Sequence, residues 1–106
     1  MSLGVAGRTF TFTVLFLDGF GAPSTPTDAE IEVFYFSDGD KVTLFSGAMT
    51  ATPEAGRFKH GIVIPATLTE ADTVYGIMRG TDPTTSSLMV IEQEVSIVTV
   101  MKAGAI

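Results

Sequence analysis

The amino-acid sequence predicts an all-β protein with a Greek-key β-sandwich fold. Apolar and polar residues alternate with a period of two in successive short segments, and helical periodicity is scarce. These segments are rich in β-branched and aromatic residues, and Gly, Pro, Asp and Ser separate them. About seven such segments fit into the 106 residues with short loops between them. This spacing favours a sandwich, with a small closed barrel as the alternative.

The first predicted strand covers residues 8–17, because large apolar side chains recur there at every second position. Residues 18–27 are predicted to form a loop, since their prolines lack an amide donor and their glycines weaken a strand. The later predicted strands cover residues 30–37, 41–46, 48–51, 57–64, 73–79 and 88–101. Together they predict a two-layer arrangement with one core.

Two connections have a predicted geometry. Asp38, Gly39 and Asp40 separate two strand segments and are typical of a tight β-hairpin turn. Residues 67–72 contain threonines that could cap one helical turn between strands. No helix of more than one turn is predicted in the chain.

Alternation also predicts which side chains form the core. The predicted inward residues are Phe10, Phe12, Val14, Phe16, Ile31, Val33, Tyr35, Val42, Leu44, Phe58, Ile62, Ile64, Tyr75, Ile77, Ile91, Val95 and Ile97. Each such side chain stabilises the fold by about 1.5 to 3 kcal/mol when fully buried.

Apolar residues also occupy positions that alternation assigns to the outside of the sandwich. Phe34 and Phe36 occupy even-numbered positions, whereas Ile31 and Val33 occupy odd-numbered ones, so the two pairs should lie on opposite faces of the strand. The last strand and its extension add further apolar side chains at outward positions. Contiguous apolar surface on a protein marks a partner site. The predicted interface residues are Phe34, Phe36, Val98, Val100, Met101 and Ile106. The alternative is that loops or a neighbouring strand of the same chain cover them.

The chain divides into one predicted domain with two short arms. Residues 8–98 form the β-sandwich, residues 1–7 an N-terminal arm and residues 99–106 a C-terminal arm. The C-terminal arm contains one charged side chain, Lys102, and is predicted to add a strand to a neighbouring sheet edge.

Composition excludes several functional classes. Twelve acidic and six basic residues give a net charge of −6, which is the wrong sign for a surface that binds nucleic acid. The chain has no cysteine, so thiol catalysis and thiolate metal sites are excluded. No apolar run approaches the roughly 20 residues of a membrane span, and no secretory signal pattern is visible. The predicted partners therefore include neither nucleic acid nor membrane.

No catalytic, cofactor or metal site is predicted. The one histidine, His60, shares parity with Phe58 and Ile62, which favours a packed or interfacial role over catalysis. Asp38 and Asp40 could offer oxygen ligands to calcium, but the hairpin turn explains both residues without a metal. Exposed aromatic side chains could instead form a sugar-binding platform, and the candidates are Phe20, Phe34, Tyr35, Phe36 and Phe45.

Several segments resemble immunoglobulin-like modules. They are the alternating strand that ends in Asp18-Gly19, the run Ala29-Glu30-Ile31-Glu32-Val33, the glycine before Arg57-Phe58, and Ile64-Pro65-Ala66-Thr67-Leu68 ahead of Tyr75. Tyr75 also resembles a tyrosine corner. The pattern over residues 8–98 is similar to the small β-sandwich domains of tailed-bacteriophage virions, including decoration, neck, baseplate and tail accessory proteins.

The resemblance implies a non-enzymatic structural component of a phage virion, assembled in the host cytoplasm. Its implied partners are other virion structural proteins, within a homo-oligomer or a symmetric assembly. The alternative is a β-sandwich module that binds carbohydrate or a cell surface. A hydrolase built on the same scaffold is the least favoured interpretation, because no catalytic motif supports it.

Overall fold

The computed structural model describes residues 2–99 as two packed β-sheets. The strands are β1 (Ser2–Val5), β2 (Thr9–Leu15), β3 (Glu30–Ser37), β4 (Asp40–Ala48), β5 (Thr50–Ala51), β6 (Arg57–Val63), β7 (Thr73–Thr81) and β8 (Leu88–Val98). No helix occurs among these residues. The all-β prediction is confirmed.

The strand order is that of an immunoglobulin-like sandwich. One sheet has five strands in the order β1-β8-β7-β3-β4, and the other has three in the order β2-β6-β5. All paired strands are antiparallel except β1, which runs parallel to β8. The second and third strands belong to different sheets, so the chain crosses the sandwich between them. The predicted fold class is therefore confirmed.

The segment that was predicted as an N-terminal arm contributes an edge strand. Ser2 lies opposite Val95 and Val5 opposite Val98 in the parallel pair of β1 and β8. Gly4 permits this close approach, because a Cβ atom there would lie 2.9 Å from Cγ1 of Val95. Two glycines within seven residues obscure the β pattern in the sequence.

One of the two predicted connections is confirmed. Asp38 and Gly39 have φ angles of 51° and 84°, as the two central residues of a type I′ hairpin turn require. Residues 67–72 contain no helical turn. The amide of Asp72 donates to the carbonyl of Thr69 at 2.9 Å, and the Asp72 carboxylate accepts from the Thr69 amide at 2.8 Å. These local bonds satisfy the backbone in a turn.

The core lies between the two sheets, and most of the predicted inward side chains contribute to it. Its largest fully buried side chains are Phe12, Phe16, Ile31, Ile64, Met78, Val33, Val74 and Val95. Phe10, Tyr35, Leu44 and Phe45 are partly buried and pack against this core.

The prediction for β7 assigned the wrong face of the strand to the core. Val74 and Met78 are fully buried, whereas Tyr75 and Ile77 lie on the opposite side of the strand. Gly76 shares the inward side, and a Cβ atom there would lie only 2.5 Å from Cε1 of Phe12. The Phe12 ring of the other sheet fills the space beside Gly76. The inward face of β7 is therefore the one that carries glycine.

Candidate functional site

The outer face of the five-stranded sheet carries three aromatic rings, which we call the aromatic patch: Phe34, Phe36 and Tyr75. Phe34 lies opposite Tyr75 across β3 and β7, and their rings stack with centroids 5.5 Å apart. Phe36 meets both rings edge-on, at 5.7 Å from Phe34 and 5.9 Å from Tyr75. Such cross-strand aromatic pairs stabilise a sheet and hold the rings in one arrangement.

The two phenylalanines of the aromatic patch differ in exposure. Phe34 is only 7% exposed, because Phe36 and Tyr75 flank it and the Lys41 ammonium lies 4.4 Å from its ring centroid. Phe36 remains 49% exposed. Side chains of the same chain thus cover Phe34, while Phe36 is available to a partner. The predicted role of both residues in an interface stays a prediction.

Charged groups surround the aromatic patch. Lys41 forms a 2.9 Å ion pair with Glu32, and Glu94 lies opposite Tyr75 in the pairing of β7 and β8. An apolar centre with a polar rim is the arrangement found in protein–protein interfaces. The patch is thus suited to contact another protein surface.

The remaining predicted interface residues lie on β8 or beyond it. Val98 is partly exposed on the outer side of the strand, as are Leu88 and Val90 at its other end. Val100, Met101 and Ile106 lie outside the described residues. The ring of Tyr75 packs on Phe34 on the outer face of the five-stranded sheet rather than in a tyrosine corner.

A cleft of about 320 Å³ lies at the end of the sandwich where the β2–β3 and β7–β8 loops meet. Its lining residues are Leu17, Asp18, Gly19, Phe20, Asp82, Thr85, Ser87, Leu88 and Met89. Phe20 stands at the mouth and is 94% exposed. The volume is at the lower limit of small-ligand pockets.

The loop that carries Phe20 is held in place by Asp18. Oδ1 of Asp18 accepts hydrogen bonds from the amides of Phe20 at 2.8 Å and Ala22 at 3.0 Å. The backbone amide of Asp18 donates to the carbonyl of Ala22 at 2.8 Å. These bonds fix the backbone beneath an exposed ring, as an Asx turn does. The sequence shows the Asp-Gly pair here, but not the position of Phe20 beside a cleft.

Asp82 joins the two loops at the floor of the cleft and is 5% exposed. Its Oδ1 accepts from the Ser24 hydroxyl at 2.8 Å, and its Oδ2 accepts from the Thr85 hydroxyl at 2.6 Å. The hydrogen bonds from Thr85 and Ser24 hold the pKa of Asp82 below its usual value of 3.8. Sequence analysis did not identify this residue, since its two partners lie in separate loops.

The lowered pKa of Asp82 predicts a pH-dependent contribution to stability. The ionised carboxylate stabilises the fold above the unfolded-state pKa of 3.8, and this contribution is lost as the pH falls through the lower folded-state value. We therefore expect Asp82→Asn to lower the melting temperature at pH 7, with a smaller difference from the wild type near pH 3. Thermal unfolding of both proteins across this range measures the difference. A constant difference at every pH would contradict the assignment.

One edge of β8 is open along most of its length. β7 pairs with β8 on one side over residues 88–96, whereas β1 pairs on the other side only over residues 95–98. No other strand among residues 2–99 lies beside residues 88–94 on that side. We call this segment the open edge. Its unpaired backbone groups can bond to an added strand.

The residues weighed for catalysis or metal binding, His60, Asp38 and Asp40, lie in packing and turn positions of the fold. His60 stacks on Phe45 with ring centroids 3.9 Å apart. Asp38 and Asp40 belong to the β3–β4 hairpin, and no group of three potential metal ligands occurs among residues 2–99. Of the other predicted sugar-platform residues, Tyr35 and Phe45 pack against the core. Within the same residues, no helix has the length and apolar character that a membrane crossing requires.

Comparison with known proteins gave no match, either to a protein-family model or to a curated protein sequence.

Proposed function

We propose that the protein is a non-enzymatic structural component of a phage virion and that it docks on other virion proteins. The observation that carries the docking proposal is the half-exposed Phe36, which packs on the buried Phe34 and on Tyr75 in the aromatic patch. The proposed placement in a phage particle rests on the resemblance that the sequence pattern of residues 8–98 bears to virion β-sandwich domains.

The geometry of the patch favours a protein partner over a small ligand. Phe36 is held by Phe34 and Tyr75, so little side-chain freedom is lost when a partner covers it. Aromatic residues with this support are typical binding hot spots. The charged rim of Lys41, Glu32 and Glu94 supplies orientation through complementary charges on the partner.

Purified particles provide the direct test of this role. Mass spectrometry of gradient-purified virions from the phage that encodes the chain should find it in a fixed ratio to the other structural proteins. The chain should remain bound at moderate salt, because its proposed contacts are largely apolar. Its absence from intact particles would contradict the proposal.

A second candidate function is carbohydrate or cell-surface binding at the loop-end cleft. The specific observation in its favour is Phe20, which is almost fully exposed on a fixed loop beside the Thr85 and Ser87 hydroxyls. An exposed ring can stack on a sugar face while neighbouring polar groups bind its hydroxyls.

A glycan array with the full chain and with Phe20→Ala separates this candidate from the docking role. Binding that Phe20→Ala abolishes and Phe36→Ala leaves intact would support the carbohydrate function. Absence of binding to every glycan would contradict it.

A further inference from the structure

We infer that the open edge of β8 pairs with the open edge of a second copy of the chain. The two β8 strands run antiparallel across a two-fold axis, so that two five-stranded sheets become one continuous sheet. This contact joins identical chains and is independent of the proposed docking on other virion proteins.

The core is incomplete beside the open edge. Val95 lies beside β1 and is fully buried, whereas Ile91 lies beyond the end of β1 and is 37% exposed. Ile91 nevertheless lies opposite the fully buried Met78 and therefore on the core-facing side of β8. A strand placed alongside residues 88–94 would cover Ile91 as β1 covers Val95.

The open edge lacks the features that usually keep an edge strand unpaired. Leu88 and Val90 are exposed on its outer face, and residues 88–94 contain neither proline nor lysine. The pairing of β8 with β7 runs through these residues without a bulge, so the backbone groups on the other side follow a regular pattern. A second strand can therefore bond along the whole segment.

The outer edges of β4 and β2 suit an added strand less well. The pairing of β4 with β3 shifts between Val33 and Phe34, and such a bulge protects an edge by breaking its regular hydrogen-bonding pattern. On β2 the inward side chains of Phe12 and Val14 are already buried, so the core beside that edge is complete.

The open edge is complementary to itself. Ile91 is the middle residue of 88–94, so an antiparallel second copy places Ile91 opposite Ile91 and each residue covers the other. In this register Met89 lies opposite Gln93. The second strand also stops short of β1, which begins opposite Val95. An edge that contacts the same edge of another copy forms a two-fold contact that closes at the dimer.

Charges on the outer face fit the same register. Val90 of one copy would lie opposite Glu92 of the other, and Arg79 lies beside Val90 on β7. Arg79 and Glu92 of the second copy would then be two strand spacings apart, or about 9.5 Å between Cα atoms. Their long side chains can meet across Val90. The two-fold axis makes this pair occur twice.

Arg79 has donors available for such a pair. Its Nε lies 3.4 Å from Oε1 of Glu30 and makes no hydrogen bond among residues 2–99. The Arg79 side chain is 40% exposed. A guanidinium has five N–H donors and can bind a second carboxylate while it stays near the first. Charge complementarity thus favours a second copy over an unrelated strand.

Sedimentation velocity of the full chain tests whether the dimer forms. A contact through one strand on each side has an area at the low end of specific interfaces, so we expect weak association. Concentrations from about 10 to 500 µM span a micromolar dissociation constant. We expect the wild type to shift from monomer to dimer across this range and to form no larger species.

Charge reversal tests the proposed register. Arg79→Glu and Glu92→Lys should each raise the dissociation constant about 10-fold or more, because each variant dimer contains two like-charge pairs. An equimolar mixture of the two variants should form a heterodimer about as tightly as the wild type, since both pairs again have opposite charges. Glu54→Lys, in the loop before β6, is the matched control and should dimerise like the wild type.

Disulfide formation provides a second measurement that does not depend on charge. The chain has no cysteine, so Ile91→Cys introduces a single thiol. Residues directly opposite in an antiparallel pair have Cα atoms about 4.5 to 5.5 Å apart, which a disulfide can bridge. Mild oxidation should convert Ile91→Cys into a covalent dimer. Val63→Cys, which is 64% exposed at its natural valine on the other sheet, should remain largely monomeric.

Three results would each overturn the inference. They are a wild type that stays monomeric over the whole concentration range, a mixture of the charge variants that does not restore dimerisation, and equal disulfide formation at positions 63 and 91. Circular dichroism of each variant checks its fold. If Arg79→Glu does not fold, the comparison of the two cysteine variants decides the question.

Discussion

Gly76→Ala is expected to destabilise the protein by about 2 to 3 kcal/mol, because the core has no space for a side chain at this position. The new Cβ atom would lie 2.5 Å from Cε1 and 2.8 Å from Cδ1 of Phe12. Phe12 is fully buried and packs edge-on against Phe10, so its ring cannot move into solvent. Chemical denaturation measures the loss.

A smaller residue at position 12 should relieve the clash. Phe12→Leu alone is expected to destabilise the protein, but Gly76→Ala should then cost much less than in the wild-type background. Gly19→Ala is the matched control, because apart from its chain neighbours no atom would lie within 4 Å of a Cβ atom at this position. Additive effects of the two core substitutions would show that the ring and the glycine are not in contact.

The two phenylalanines of the aromatic patch are expected to respond differently to substitution. Phe34→Ser should lower the free energy of unfolding by about 2 to 4 kcal/mol, because it removes a ring that Tyr75 and Phe36 cover. Phe36→Ser should lower it by about 1 kcal/mol or less, since half of this side chain already contacts solvent. Chemical denaturation of each single variant measures both values.

Equal losses at the two positions would contradict this division. A large loss for Phe36→Ser would show that Phe36 is part of the structural packing, and the patch would then lack an available anchor.

Local pattern was sufficient to predict much of the fold. β3 has the predicted limits, and its hairpin to β4 has the predicted turn, because alternation and the Asp-Gly pair act over neighbouring residues. β1 was not predicted, because its pairing partner is distant in the sequence: Ser2 pairs with Val95, about 93 residues away. Nothing close to Ser2 in the chain specifies that contact.

The inward face of β7 could not be predicted from alternation alone. Val74 and Met78 on one side and Tyr75 and Ile77 on the other are both apolar sets. The choice depends on the fit of Gly76 against Phe12, which belongs to a different sheet.

The candidate site was predictable only in part. Parity correctly placed Phe34 and Phe36 on the outer side of β3, but it could not show that Tyr75 and Lys41 cover Phe34. The open edge and the loop-end cleft depend on which strands and loops become neighbours. Asp82 therefore became a candidate residue only in the folded structure. The sequence analysis named Phe20 as an exposed aromatic residue, but its place beside the cleft is visible only in the fold.

The most direct test of the central claim is the copy number of Phe36→Ser in purified virions, measured against Val63→Ser. Both substitutions remove an exposed apolar side chain, but Val63 lies on the other sheet. A loss of about 2 kcal/mol in binding corresponds to a roughly 30-fold weaker association. The account predicts a strongly reduced copy number for Phe36→Ser and a normal one for Val63→Ser. Equal copy numbers for the two variants would contradict docking through the aromatic patch.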